Sequence, residues 1–418
     1  MPNAPDACSR SLMLSSPSRP YAHRSRQLGV LSWVFLSIVA CVEEGPTQKY
    51  ARTTIIELRD NVVAFESPTF RIGGAEASGL TAFGSISGAV IDVQGRLWIA
   101  DGQTSQIIRV GRDGRVTDWL GGRGEGPGEF LRVQILGWEG SNVVVYDQSQ
   151  SRVTLIDEVS DREVVQRVSS MWEDRPKMGI VGLGPASENV FVPVQGLQIR
   201  GVVVDGMPNV PGWYEYGPTR VVVESATGAS AVLLSEPLNV EDYFDGQRLL
   251  RHPLLMAPMP RVWGETVVLV GTLGGDILVS ALGGGEPEAL NMSQIPGVEL
   301  ASDARRRIRE FLDGLSDQRR PGFVPLELLD ERGLPDRRPF FDRLIIARNG
   351  VMWVRRTYDS GLGTRQWEVL TIGGTHLGTA LFQSGEDVLA ADETRVATVS
   401  RDVYDAAVVS AYEHPFRP

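Results

Sequence analysis

The feature that most limits how this chain can fold is a repeat 47 residues long. Gly79-Leu80-Thr81-Ala82-Phe83 returns as Gly126-Pro127-Gly128-Glu129-Phe130, which sets Phe83 and Phe130 47 positions apart. The second copy closes a unit that begins near Gly88 and reads as a row of short strands. A repeat of that length built from short strands is the mark of a propeller blade. Between blades the chain must cross from the outer strand of one to the inner strand of the next. Gly tolerates the positive φ such crossings use. Pro127 donates no hydrogen bond, so it suits a connection and not a central strand. Phe130 is then expected to plug the seam between two blades, where an aromatic buries a large apolar area.

A phosphate cradle is the rival reading of Gly121-Gly122-Arg123-Gly124-Glu125-Gly126-Pro127-Gly128. The spacing fails it. No Lys-Ser or Lys-Thr pair follows Gly126, and no register gives G-x-G-x-x-G. A ligand loop would use Arg123 and Glu125, which are kept as candidate binding residues.

Trp119 to Phe130, following Val90-Ile91-Asp92-Val93-Gln94-Gly95-Arg96-Leu97-Trp98-Ile99-Ala100-Asp101, resembles bacterial six-bladed β-propeller proteins with NHL-type repeats. The match covers Ser85 to Phe130 and returns at Phe340 to Phe382. It implies an all-β, six-bladed propeller of four-stranded antiparallel blades. It implies no function, because the fold hosts binders, lyases and hydrolases alike.

The first forty residues read as a signal peptide. Arg24 and Arg26 form a positive n-region ahead of the apolar run Leu28 to Ala40. That run is too short to span a bilayer comfortably. It ends Ile38-Val39-Ala40-Cys41, which resembles the bacterial lipobox, with Cys41 as the lipidated residue. Acyl chains on Cys41 would anchor the protein in a membrane without a transmembrane helix. Residues 41–50 are expected to be a tether and 51–418 the propeller. The expected address is the bacterial cell envelope, facing the periplasm or the exterior. Removal of residues 1–40 takes Cys8 with them, so no thiol remains for a disulfide or a Cys metal site.

Charge narrows the partners. The chain holds 41 basic and 52 acidic residues. Residues 1–40 carry four Arg and one Asp, leaving 37 basic and 51 acidic, a net of −14. That argues against nucleic acid as a partner. The expected partners are the membrane, through the lipid, and an unidentified small molecule or protein.

Strand patterns give the remaining units. The first blade is Gly88–Asp92, Leu97–Asp101, Gln106–Gly111 and Val116–Leu120. The second is Val133–Trp138, Asn142–Asp147, Arg152–Asp157 and Glu163–Val168. Asp101 and Asp147 end corresponding strands, 46 residues apart, and are expected to accept hydrogen bonds from the turns that follow. The third unit is Gly179–Gly184, Asn189–Val194, Thr219–Ser225 and Ser230–Leu234, with Gln198 to Gly217 as an inserted loop. The fourth runs from Pro260 to Leu290. A helix is expected near 302–315, capped by Ser302, with Ala304, Ile308, Phe311, Leu312 and Leu315 on one face. The fifth unit is Arg343–Ala347, Val351–Arg356, Gln366–Ile372 and His376–Phe382. The sixth has only three strands: Asp387–Ala391, Arg395–Ser400 and Ala406–Tyr412. Thr69–Gly73 is assigned as its missing outer strand, which would remove an open edge.

Chemistry is harder to find. The chain after residue 41 has three His: His252, His376 and His414. None lies in H-x-x-x-H or H-E-x-x-H spacing. The propeller lyases that the resemblance brings in hold zinc through His at the starts of inner strands, where this chain has Ser87 and Gly88. No metal or cofactor is expected. There is no G-x-S-x-G elbow for a serine nucleophile. Trp353, Arg355 and Arg356 are a further candidate group. Strand alternation puts Trp353 and Arg355 on one face and Arg356 on the other. One Arg could then hold an anionic ligand, or pair with Asp359 or Glu368. The leading expectation is a ligand-binding or protein-interaction module. The alternative is a lyase or hydrolase with its site at the mouth of the central channel.

Overall fold

A computed structural model describes residues 52–418, except for 148, 151, 161–162, 168–197, 203–209, 217–218, 225–229, 237–239, 248, 252–258, 265, 271–275, 282–285, 293–327, 329–340, 357–363 and 384. The signal segment, the tether and Cys41 lie outside the described residues, as does the expected helix near 302–315.

The described residues form an all-β propeller with five four-stranded blades. Blade I is Ile86–Ile91, Leu97–Asp101, Gln106–Val110 and Val116–Gly121. Blade II is Val133–Glu139, Asn142–Asp147, Arg152–Asp157 and Glu163–Arg167. Blade III is Met259–Trp263, Thr266–Val270, Asp276–Ala281 and Glu288–Asn291. Blade IV is Phe341–Ile346, Val351–Arg356, Thr364–Thr371 and His376–Gln383. Blade V is Asp387–Ala391, Arg395–Arg401, Ala407–Glu413 and, as its outer strand, Phe70–Gly73. The first strands of neighbouring blades touch in the order II, I, V, IV, III. Blades I to IV are meanders in which each of the four strands pairs antiparallel with the next in sequence; blade V is the same for three strands and takes its fourth from the N-terminus. Short Gly-containing turns permit this, because a two-residue hairpin joins antiparallel strands directly.

The count of six blades is corrected to five among the described residues. Of the expected third unit, Gly179–Gly184 and Asn189–Val194 lie outside them. Its other two strands are found paired as Thr219–Glu224 and Ser230–Glu236, but the further neighbour of Thr219–Glu224 is Gln198–Val202. Gly212–Tyr216 pairs with Val240–Phe244 in a second three-stranded sheet. Gln198 to Gly217 is therefore not simply an inserted loop. Trp213-Tyr214-Glu215-Tyr216 is rich in aromatics that favour a pleated surface. Trp213 sits opposite Tyr243 across the strands, with ring centroids 5.5 Å apart.

The N-terminal assignment holds and extends further than expected. Phe70–Gly73 pairs antiparallel with the last strand of blade V, Phe70 opposite Ala411 and Gly73 opposite Val408. Upstream, Arg52–Ile55 adds a parallel fifth strand to the edge of blade III, and Val62–Ala64 does the same for blade IV. Residues 52–73 thus strap three successive blades along their outer strands.

Each step of the chain from one blade to the next buries one apolar side chain in the seam. Ile56 packs among residues of blades III and IV. Phe65 packs among residues of IV and V, its ring stacked 4.6 Å from Phe382. Phe83 fills the seam between V and I, and Phe130 the seam between I and II. All four are at most 6% exposed. Phe130 has the role its place in the repeat predicts. Gly121, at φ +84°, precedes it in space: a Cβ there would lie 2.7 Å from Phe130 Cδ2.

Asp101 and Asp147 show how the repeat is locked. Asp147 accepts hydrogen bonds from the Ser149 and Gln150 amides in the turn that follows, as expected. It also accepts from the Leu131 and Arg132 amides of the preceding crossing, at 2.7 and 3.2 Å. Asp101 repeats the pattern with Gln103, Gly84 and Ser85. Each carboxylate ties a turn to a crossing, so it satisfies backbone donors that no strand can satisfy.

Candidate functional site

A propeller of this kind has two faces. One carries the crossings, such as Gly121 to Phe130. The other carries the hairpins that follow the first and third strands of each blade. The polar side chains divide between them.

On the crossing face, Arg343 and Arg355 sit opposite each other on the first two strands of blade IV. Like charges in that register repel. Asp387, at the start of blade V, receives both, together with Arg365 from the third strand of blade IV. Burial works to raise the Asp387 pKa, but the charges of Arg355, Arg365 and Arg343 reverse it, so the carboxyl stays below its ordinary value. This group joins two blades.

Arg356 points to the other side of the same strand, as alternation requires, and its Nε lies 2.6 Å from Glu368 Oε1. Glu368 is wholly buried. It also receives Thr379 Oγ1 at 2.8 Å and His376 Nε2 at 2.9 Å. The Arg59 amide of the strap donates to His376 Nδ1, so the ring proton is on Nε2 and points to Glu368. Burial raises the Glu368 pKa; the His376 hydrogen bond, Arg356 and Thr379 outweigh it and hold it below the usual carboxylate value. A carboxyl whose folded pKa is depressed contributes stability above its unfolded value, about 4.3, that is lost as pH falls through the folded value. Glu368→Gln should therefore be less stable than the parent at pH 7 and should lose less stability below pH ~4. Thermal unfolding at several pH values measures this, and parallel profiles would count against it.

Trp353 does not face a channel. It is 0% exposed, packed against Phe382, His414 and Phe416. Arg123 and Glu125 are exposed on the crossing between blades I and II. There the Arg123 backbone bridges to Phe130. The structure therefore does not gather the five candidate residues into one place. Ser87 and Gly88, at the start of an inner strand, are used in packing. Ser87 Oγ donates to Val133 O at 2.6 Å, and a Cβ on Gly88 would meet Ile135 O at 2.4 Å.

On the hairpin face, Arg348 of blade IV reaches Glu158 of blade II at 2.7 Å and stacks 4.8 Å from the Trp138 ring centroid. Glu158 also accepts from the Val93 amide of blade I. This ties together hairpins of blades II and IV, which blades I and V separate in the order of inner strands.

The same face holds a cavity of about 300 Å³ at the seam of blades V and I. Its lining is Thr69, Arg112, Thr394, Arg395, Glu413, His414 and Arg417. Two hairpins, the N-terminal strap and the C-terminal segment bring these together, so no spacing in the sequence announces them. Arg395 is 6% and His414 5% exposed. Arg395 Nε and His414 Nδ1 are buried and find no hydrogen-bond partner among the described residues. Arg112, Arg395 and Arg417 converge on this recess, so it is the candidate site. Burial pushes the His414 pKa below its ordinary value, against the Asp392 carbonyl, and leaves the ring neutral.

Strand topology places the chain in the class of β-propeller proteins. No family model matches it, and no curated protein does. Solved structures do. A member of the DUF4221 family from Bacteroides vulgatus is 9% identical, with 83% of this chain and 98% of that one covered at a TM-score of 0.45. The calcium-binding protein regucalcin from Agrobacterium tumefaciens is 12% identical, covering 88% and 98%, at 0.36. Virginiamycin B lyase from Staphylococcus aureus is 11% identical, covering 82% and 98%, at 0.33.

Proposed function

We propose that this chain is a lipid-anchored, extracytoplasmic propeller that binds a small anionic ligand and does not turn it over. The observation that carries this reading is the hairpin-face cavity. Three arginines and a histidine line it, with Glu413 beside them. Such a recess suits recognition: few polar groups, fixed by the fold, in a concave site. The carboxylates with lowered pKa, Glu368 within blade IV and Asp387 at the blade IV–V seam, are engaged with His376, Thr379 and arginines, which suits structural ties.

The address rests on Arg24, Arg26, the run Leu28 to Ala40 and Cys41. Among the described residues, no helix is long and apolar enough to cross a membrane. The sheets between Gln198 and Arg251 stand in the chain between blades II and III, where the NHL-type pattern calls for a sixth blade.

Two experiments test this reading. Cys41→Ser, expressed in a bacterium with a fatty-acid label, should lose the label and pass from the membrane to the soluble fraction. Retained label or retained membrane association would remove the lipid anchor. In the second, the full chain is screened with small anions by thermal shift, and each hit is recovered and analysed. Ligands returned unchanged support a binder; conversion of a hit makes the protein an enzyme.

A further inference from the structure

We propose that the hairpin face docks on the phospholipid surface in which Cys41 is anchored, with apolar hairpin tips among the headgroups and arginines on lipid phosphates. This deepens the binding reading above and rests on its lipid anchor: the anion met at the rim of the recess is the phosphate of a headgroup.

The argument begins with three exposed apolar side chains. Val93 is 61%, Val159 69% and Trp263 37% exposed. They come from blades I, II and III, and all belong to hairpins of one face. Val93 and Trp263 stand where a first strand turns into the second, and Val159 follows a third strand. One ion pair holds all three. Glu158 accepts from the Val93 amide at 3.1 Å and is the chain neighbour of Val159. Its partner Arg348 accepts the Trp263 indole N–H on its carbonyl oxygen at 2.8 Å. The Arg348 guanidinium also covers the Trp138 ring and donates to Gly140 O. The tie between blades II and IV thus gathers the tips around itself and fixes their positions. A single exposed Val is ordinary, whereas apolar side chains gathered on one face mark a contact surface. Trp, with an apolar body and a polar handle, is the side chain that settles at a membrane–water boundary.

The origin of the tether decides which surface that is. Arg52 opens the strap and stands opposite Glu288, the first residue of the outer strand of blade III. That strand runs from the hairpin face to the crossing face, so the strap enters the fold at the hairpin face. Ten residues, 42–51, separate Arg52 from Cys41. They span at most about 36 Å. Turning the crossing face to the lipid would take up about 20 Å of that reach, the height of a six-residue strand of blade III. The hairpin face is therefore the one the anchor brings to the lipid.

Tethering removes the need for strong affinity. A short linker holds the face at an effective concentration on the order of millimolar. The charge on the face is accordingly mixed. Arg112 and Arg417 are exposed at the rim of the recess, and Asp113, Glu393 and Glu413 are exposed near them. Planar guanidinium groups bind phosphate through a fixed fork of donors. The arginines orient the face and the anchor holds it there.

The test uses the thiol chemistry of the chain. Cys8 and Cys41 are its two cysteines; the first leaves with the signal and the second carries the lipid. An introduced cysteine is then the one free thiol. Val93→Cys and Val159→Cys, with Val403→Cys on the crossing face as the control, are each made in the full chain. Val403 is 93% exposed, so it accepts a label equally well. Each lipidated protein is labelled with a fluorophore and reconstituted in vesicles of phosphatidylethanolamine and phosphatidylglycerol that carry a headgroup-linked nitroxide quencher. Labels at 93 and 159 should lose most of their emission, and the label at 403 should keep its own. Arg112→Glu with Arg417→Glu should restore most of the emission at 159 at an unchanged thermal midpoint. Equal quenching at all three positions, quenching at 403 alone, or no quenching at 93 and 159 would overturn the proposal. So would labels at 93 and 159 that are shielded from iodide in water yet untouched by the lipid quencher, since a protein would then cover this face. A Cys41 that carries no lipid removes the anchor as well. A lipidated protein with unquenched tips removes this proposal alone and leaves an anchored binder of a soluble anion.

Discussion

Asp147→Ala should cost about 3–5 kcal/mol of stability, because it leaves Arg152 as a buried, uncompensated charge and strands several backbone donors. Asp147 is 0% exposed. It accepts from four backbone amides and from Gln150 Nε2 at 2.9 Å. Arg152 lies alongside with Nη2 3.9 Å away, and that guanidinium also donates to Gly126 O and Glu129 O of the crossing. Natural domains are stable by only about 5–15 kcal/mol, so the loss would be a large share of the total. Asp147→Asn keeps one acceptor and should cost less, about 1–3 kcal/mol. Asp101→Ala should cost less than Asp147→Ala, about 1–3 kcal/mol, since Asp101 accepts from three amides but stands opposite Gln106 where Asp147 stands opposite Arg152. Urea denaturation measures all three. An alanine variant with the parent's midpoint and slope would remove the carboxylate latch from the account of the repeat.

Phe65→Ala should cost a comparable amount, about 3–5 kcal/mol, through a cavity in the seam of blades IV and V. The ring stacks on Phe382 at 14° and meets Tyr412 edge-on at 5.5 Å. Its second effect is local. The strap pairs with blade IV through Val62–Ala64, three residues against Thr379–Leu381. So short a strand gains little from its own hydrogen bonds and depends on the side chains that follow it. Losing Phe65 should therefore raise amide exchange through Val62–Ala64 before the blade cores are affected. Hydrogen exchange followed by mass spectrometry separates the two effects. Uniform loss of protection across all blades would mean that the strap is not a separate unit.

Much of this fold was legible in the chain. The two copies ending at Phe83 and Phe130 marked the blade period, and both rings are found in successive seams. Strand limits in blades I, II, IV and V fall within two residues of those read from hydrophobic alternation. The hairpin glycines explain this, since each turn is specified within a few residues. The third unit was misread because Pro208 and Pro211 suggested a loop, while the aromatic run just after them pairs as a strand. The pairing of the strap was not legible: a parallel partner some 235 to 320 residues away leaves no local pattern.

For the site the division is sharper. Alternation along Val351–Arg356 separated Arg355 from Arg356 correctly, and Glu368 was within view as a partner. Asp387, Arg343 and Arg365 were not, because four strands from two blades contribute to that cluster. Nothing near His414 or Arg395 in the chain marks a recess.

The sequence by itself determined the repeat, the antiparallel blades, the crossing geometry and the N-terminal strand that completes blade V. These depend on turns and alternation, which act over a few residues. Only the tertiary structure decided the strap over blades III and IV and the partners of each arginine. It alone decided the cavity too, since Arg112, Arg395, His414 and Arg417 meet only when blades V and I stand side by side. A blade's interior is fixed by its own neighbours in the chain, whereas a seam is made by residues that are distant until the blades pack.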